Sequence, residues 1–408
     1  VPGAAAALDL NPSIRAWEGI MHCRTSPVRA LMFALATTPC LAGVAVAQIA
    51  VSANDNKVVN IDGKNVVVEN PAPDTATIID LGVSPPKVLG EVQVGTSVVG
   101  PPQSVAIAPD ESIALVTAAF KKDPADPKKT APDNKLAVID LKASPPKVIE
   151  TLEVGTGPAG LSFSPDGKLV LVANRGGGTV SVLAVDGKAL KVIGTIDFGN
   201  PKSGPSHVAF FPDGKHALVT RDGDHRVSLL TVDGTKVEDT KKYMVGGIRP
   251  YSLGISPKGD VAVFGNQGGG QGDLDAINVI DLKQNPPRIV DTISVGQTPE
   301  GVGMSPDGSY VAVTIQNGSS RAKNHQAYHD HGLLKVFRVE GVKLSLVAEA
   351  KVGGWSQGVV WSKDGKTLLH QAMLNKEIDV LSFDGKSLKV TATIKMSGGP
   401  AGIRTAAP

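Results

Sequence analysis

The chain of 408 residues carries 41 Lys+Arg against 39 Asp+Glu, with 41% hydrophobic and 4% aromatic residues. A formal net charge of +2 excludes a strongly basic nucleic-acid binder and an acidic disordered chain. The 46 Gly and 29 Pro exceed ordinary usage without reaching collagenous levels, so many short elements joined by many turns are expected.

Met21 opens a basic stretch with Arg24 and Arg29, followed by an apolar run that ends in Ala45-Val46-Ala47 before Gln48. This pattern predicts a secretory signal peptide over residues 21–47, and Thr37, Thr38 and Pro39 within the apolar run argue against a membrane anchor. Residues 1–20 carry no motif and are expected to be no part of the mature protein. Cys23 and Cys40 would both leave with the signal peptide, which excludes a disulfide framework, thiolate catalysis and a cysteine-ligated metal. The expected location is periplasmic or secreted, with no stable membrane insertion after cleavage.

From residue 48 onward the chain repeats itself. Gly157-Pro158-Ala159-Gly160 leads into Ser164-Pro165-Asp166-Gly167, and the same pattern returns at Pro205, Pro250 and Pro299, with weaker copies at Pro102, Ser356 and Pro400. The copies start 44 to 57 residues apart, so one unit accounts for residues 48–408. Each unit reads as four strands. The Pro-Asp-Gly turn follows the first, a β-branched run reaches Asn174, a second covers Thr179 to Val185, and a fourth ends near Gly199. Three strands precede Pro102, near Ile49–Ala53, Thr75–Leu81 and Lys87–Val94, whereas Pro400–Thr405 is one inner strand with nothing after it. The expectation is an all-β, seven-bladed β-propeller of four-stranded antiparallel blades, closed when the C-terminal strand joins the N-terminal blade in a 1+3 arrangement.

Residues 164–183, Ser-Pro-Asp-Gly-Lys-Leu-Val-Leu-Val-Ala-Asn-Arg-Gly-Gly-Gly-Thr-Val-Ser-Val-Leu, resemble the YVTN repeat of bacterial propellers, which include the 6-phosphogluconolactonase-like propeller lactonases. The resemblance covers residues 48–408 and implies the fold. Its activities are diverse, so it implies a lactonase only as one of several possibilities.

The links between first and second strands and between third and fourth are short. The opposite face carries the long insertions, at about Asn54–Asp74, Phe120–Asn134, Asn266–Leu274 and Gln316–Gly332, and is therefore expected to carry function. Where other repeats have Ser104, Gly160, Ser252, Gly301, Gly358 or Gly402, one has His207, so its imidazole is expected to point toward the axis. His207, Arg175, Arg221, His225 and His370 are the catalytic candidates. Asn174, Asp222, Asn266, Gln267, Gln316 and Gln371 are the substrate-binding candidates.

In the sixth unit His325, Gln326, His329 and His331 lie in one insertion. In an extended chain His329 and His331 would point the same way, so these four are candidate ligands for a divalent Zn, Mn or Fe, completed by His207, His225 or His370. The spacing Gln326-x-x-His329-x-His331 also resembles the metal-ligand run of oligogalacturonate lyases, which implies a metal-dependent lyase acting on uronate-type sugars.

The leading functional expectation is a hydrolase of a lactone or ester, in which a histidine or metal-bound hydroxide attacks the carbonyl and Arg175 or Arg221 stabilises the oxyanion. The alternatives are a non-catalytic periplasmic propeller that binds a small molecule or a protein partner, and the lyase. No nucleic-acid partner is expected.

Overall fold

The computed structural model describes residues 48–407. The expected signal peptide, both cysteines and residues 1–20 lie outside the described residues. Within them thirty strands form seven four-stranded antiparallel sheets and one small hairpin, Val58–Ile61 with Lys64–Val67.

Blade 3 shows the unit: Pro158–Phe163, Leu169–Asn174, Thr179–Asp186 and Ala189–Asp197, hydrogen-bonded in that order from the axis outward. The Ser-Pro-Asp-Gly turn explains the first hairpin. The Ser164 hydroxyl donates to Asp166 Oδ1 at 2.6 Å and accepts the Leu169 N–H at 2.9 Å, while Gly167 takes φ +70°. A Cβ on Gly167 would meet only the Pro109 ring of the preceding blade, at 3.4 Å, so backbone conformation and not space demands glycine there. The same serine–aspartate bond recurs at Ser305–Asp307 and Ser362–Asp364.

The core lies between blades. Leu169, Leu171, Ala173, Val180 and Val182 of blade 3 pack against Val208, Phe210, Ala217, Val219 and Leu230 of blade 4, and each neighbouring pair repeats the arrangement. Burying one such Val or Leu contributes roughly 1.5–3 kcal/mol. Side chains of second strands also stitch several blades to the next. Thr117 Oγ1 donates to the Ala159 carbonyl and Thr220 Oγ1 to the Tyr251 carbonyl, both at 2.5 Å, and Gln371 Nε2 reaches Ser52 Oγ at 2.8 Å.

Blade 1 closes the ring as expected. Gly399–Thr405 pairs with Ile49–Asp55, from Ala50 opposite Thr405 to Asp55 opposite Gly399, and Thr75–Asp80 and Lys87–Gln93 complete the sheet. The long insertion of blade 2 is built as an extension of two strands. The insertion near Phe120–Asn134 is not a loose loop, because Ile113–Lys122 and Thr130–Asp140 stay paired out to Lys122 opposite Thr130.

Candidate active site

Two positions of the repeat deliver polar side chains to the channel mouth. The first immediately follows the second strand: Arg175, Asp222, Gln267 and Gln316 in blades 3 to 6. Each donates its backbone N–H to the residue ahead of its own inner strand: Arg175 to Gly157 (2.8 Å), Asp222 to Gly204 (2.9 Å), Gln267 to Arg249 (3.0 Å) and Gln316 to Thr298 (3.0 Å). That clip holds the strand end against the start of the inner strand. The second position follows the first proline of the inner strand, where blades 5 and 6 carry Tyr251 and Glu300.

These side chains converge across four blades. Asp222 accepts from Arg175 Nε at 3.2 Å and from its Nη2 at 2.5 Å, and Arg249 Nη2 stands 4.0 Å from the same oxygen. Arg249 Nη2 also donates to Gln267 Oε1 at 2.7 Å, and the Arg175 guanidinium lies 5.9 Å from the centre of the Tyr251 ring. Beneath them Glu300 is only 4% exposed. Its Oε1 accepts from the Gln316 amide, and its Oε2 has no hydrogen-bond partner. Burial pushes the Glu300 carboxyl up to about 8, against the opposing pull of Gln316, Arg249, Gln267 and Arg175. Burial likewise raises the Tyr251 phenol, which stays a hydrogen-bond donor.

Arg249 sits at φ +60°, where blades 3 and 4 have Gly157 and Gly204 at +64° and +63°. A non-glycine residue in the left-handed region costs on the order of 1 kcal/mol, so the backbone carries strain where the guanidinium is presented. His225, itself exposed and at φ +60°, accepts the Arg249 N–H on Nδ1 at 3.2 Å and so supports this corner from outside.

Of the sequence candidates, Arg175, Asp222, Gln267 and Gln316 are brought together here. Several others serve the blades instead. Asn174 donates to Thr179 Oγ1 and Ser181 Oγ, Asn266 to Asn278 Oδ1, and Arg221 to Ser228 Oγ and Asp224, with its guanidinium 4.2 Å from the Phe198 ring centre. These three occupy the last position of the second strand, whose side chain knits that strand to the third. His370 is fully buried within blade 7 against Asp379, at 3.1 Å, and Gln371 bridges to blade 1. His207 lies deeper in the channel, 3.1 Å from Arg404.

The Nδ1 atoms of His325, His329 and His331 face the Ala327 N–H, the Asn317 carbonyl and Asp330 Oδ1 respectively, and the rings of His329 and His331 stand 6.0 Å apart at 72°. The segment is a series of turns and not a strand, so the alternation that would align the two rings is absent. Gln326 is exposed. Among the described residues no group of three or more His, Cys, Asp or Glu side chains is placed to hold a metal ion.

Sequence reasoning missed Arg249, Tyr251 and Glu300. The signal was one column earlier than the one that selects His207. There Gln103, Ala159, Ser206, Tyr251, Glu300, Gln357 and Ala401 align, and an aromatic residue and an acid stand out.

Fold and mouth together define a seven-bladed β-propeller similar to the propeller lactonases. The family described as "Lactonase, 7-bladed beta-propeller" matches residues 158–335, a span that contains the whole Arg175–Gln316 cluster. No curated protein shows a significant match. Among solved structures, a functionally unknown protein from Desulfotomaculum acetoxidans DSM 771 superposes with a TM-score of 0.66 at 18% identity, covering 89% of this chain and 100% of its own. The periplasmic gluconolactonase PpgL of Pseudomonas aeruginosa gives 0.64 at 17% identity, covering 88% and 100%. Kuenenia stuttgartiensis hydrazine synthase gives 0.59 at 20% identity, covering 76% and 90%. Identities this low establish the shared fold, and such different named activities on one fold leave function to the site.

Proposed function

We propose that the channel mouth hydrolyses a lactone or related ester, and that Glu300 is its proton-transfer group. The observation that carries this reading is a buried carboxyl, raised to about 8, lying beneath two arginines that share one aspartate. Near neutral pH both protonation states of such a group are populated, which is the condition for it to act as base and then as acid. The ionised form takes a proton from water as the water oxygen bonds to the lactone carbonyl carbon. Arg175, Arg249 and the Tyr251 hydroxyl supply donors for the oxyanion that forms. When the ring C–O bond breaks, Glu300 returns the proton to the departing alkoxide. The product hydroxy acid then ionises to solvent.

Charge supports the same reading. With Glu300 protonated, Arg175 and Arg249 outweigh Asp222 by one positive charge, which favours both the oxyanion and the carboxylate product. No step is drawn through a metal. The match to the lactonase family over residues 158–335 supports this reaction class over a binding scaffold or a uronate lyase. The signal-peptide pattern of residues 21–47 supports action in the periplasm or outside the cell.

The test is hydrolysis of a panel of sugar, aliphatic and aromatic lactones, followed as acid release, by the protein and its Glu300→Gln and Arg175→Met variants. Turnover of at least one lactone, lost in both variants while the fold is retained, is expected. Turnover unchanged in Glu300→Gln would remove Glu300 from the mechanism.

A further inference from the structure

Below the mouth the channel contains a second charged feature that the hydrolytic reading does not use. Arg404, on the inner strand Gly399–Thr405 of blade 1, reaches across the channel to His207 on the inner strand Pro205–Phe210 of blade 4, with Nη2 3.1 Å from Nε2. A guanidinium has donors only, so His207 Nε2 is the acceptor and its imidazole is neutral, with the proton on Nδ1. His207 is 2% exposed, and burial first, then the Arg404 charge, holds its pKa well below the usual histidine range. Neutral or protonated, the histidine supplies no negative charge.

No other described residue supplies one. At the positions equivalent to Arg404 the other six inner strands carry Ala106, Ser162, Ala209, Gly254, Gly303 and Val360, none of them acidic. Among the described residues no carboxylate pairs with Arg404. Burial lowers its pKa to about 10, opposed by no negative neighbour. Arg404 is half-buried, and a cation even partly withdrawn from water is costly unless it is paired, yet its three nitrogens have only one described partner between them. Arg175, Arg221 and Arg249, by contrast, each have an aspartate within 4.0 Å.

We propose that the channel binds a small monoanion, a halide or a formate-sized carboxylate, on the Arg404 guanidinium beside His207. The anion would supply the charge that no carboxylate provides beside Arg404 and would fix Arg404 across the axis, tying blade 1 to blade 4. The proposal is independent of the hydrolytic reading, because no residue of the Arg175–Glu300 cluster takes part.

The test is thermal unfolding of the full chain titrated with sodium bromide or sodium formate, with ionic strength balanced by the sodium salt of MES, a bulky sulfonate. A saturable rise in unfolding midpoint is expected for the native protein and is expected to vanish in Arg404→Gln. No saturable rise, or an equal rise in Arg404→Gln, overturns the site. If Arg404→Gln does not fold, Arg404→Lys keeps the charge but loses the planar fork. Half-saturation should then need about tenfold more formate, whose two oxygens match the fork, and an unchanged formate half-saturation overturns the assignment. In crystals grown with bromide, an anomalous peak within hydrogen-bond reach of Arg404 supports it. Peaks on surface lysines alone would mean an adventitious ion only, and would overturn it.

Discussion

Glu300 lies on the inner strand of blade 6 and Gln316 just past the end of the next strand, and the Gln316 amide donates to one oxygen of the buried Glu300 carboxyl while the other oxygen stays unpartnered. The amide orients the acid without neutralising it, and the free oxygen is the one available to water or substrate. With the carboxyl raised to about 8, kcat/KM for a lactone is expected to rise with pH and level off above that value. Glu300→Gln should lower kcat/KM by about 10²–10⁴-fold and abolish the inflection. A pH–rate profile that is flat from 6 to 9 in the native protein would assign proton transfer elsewhere.

The same group makes a prediction about stability. Because its folded pKa lies above the unfolded value, the folded protein binds more protons than the unfolded chain between about 4.5 and 8. The contribution of Glu300 is therefore complete below about 4.5 and declines as pH rises to about 8, the reverse of a salt-bridged carboxylate. Glu300→Gln should flatten this part of the curve and leave the variant more stable than the native protein above pH 8, by an amount on the order of a few kcal/mol. Urea unfolding of both proteins at pH 5, 7 and 8.5 measures it. An identical pH slope in the two would sink the assignment.

Arg249 offers a separation of stability from activity. Its φ of +60° suits glycine, and the equivalent residues in blades 3 and 4 are Gly157 and Gly204. Arg249→Gly is expected to leave the unfolding midpoint unchanged or slightly higher, because relief of strain offsets the added freedom of the unfolded chain. The loss of its guanidinium should still lower kcat/KM by at least about tenfold. A variant with both full activity and native stability would show that the strain serves nothing at this site.

The repeat made the blades legible, since Pro-Asp-Gly turns, alternating strands and the leftover strand at Pro400 fix the closure without reference to distant contacts. The site was only partly legible. Arg175, Asp222, Gln267 and Gln316 stood out because they replace the expected residue types at one column. Neighbouring Asn174, Arg221 and Asn266 looked equally polar, yet one residue along a strand reverses the face, and their side chains turn into the blade. Nor could sequence spacing reveal that Glu300 is buried without a full set of partners, because its environment comes from residues on blades 3 and 5 as well as its own.

That one-residue difference can be tested directly. Asn174→Ala removes two hydrogen bonds, to Thr179 Oγ1 at 3.0 Å and Ser181 Oγ at 2.9 Å, from a fully buried side chain. It should destabilise the protein by about 1–3 kcal/mol while activity per folded molecule is unchanged. Arg175→Ala, on the next residue, should do the opposite. Chemical denaturation together with lactone kinetics on both variants distinguishes them, and a large activity loss in Asn174→Ala at native stability would return that residue to the site.

Metal dependence is the remaining point on which sequence pattern and side-chain geometry diverge. The run Gln326-x-x-His329-x-His331 has the spacing of a ligand set, but each of the three histidine Nδ1 atoms faces a neighbour within the same insertion or the adjoining turn. To hold an ion through Nε2, His329 and His331 would need at least a third ligand, and among the described residues no group of three or more His, Cys, Asp or Glu side chains is placed to supply one. Lactone hydrolysis is therefore expected to survive exhaustive chelation, and His329→Ala/His331→Ala should retain activity within about twofold, in the range of surface substitutions away from a site. Elemental analysis before and after chelation, paired with the kinetics, decides the matter. A stoichiometric Zn, Mn or Fe that the double variant loses along with its activity would place the reaction on that ion, with the Arg175–Glu300 cluster left to bind and orient the substrate.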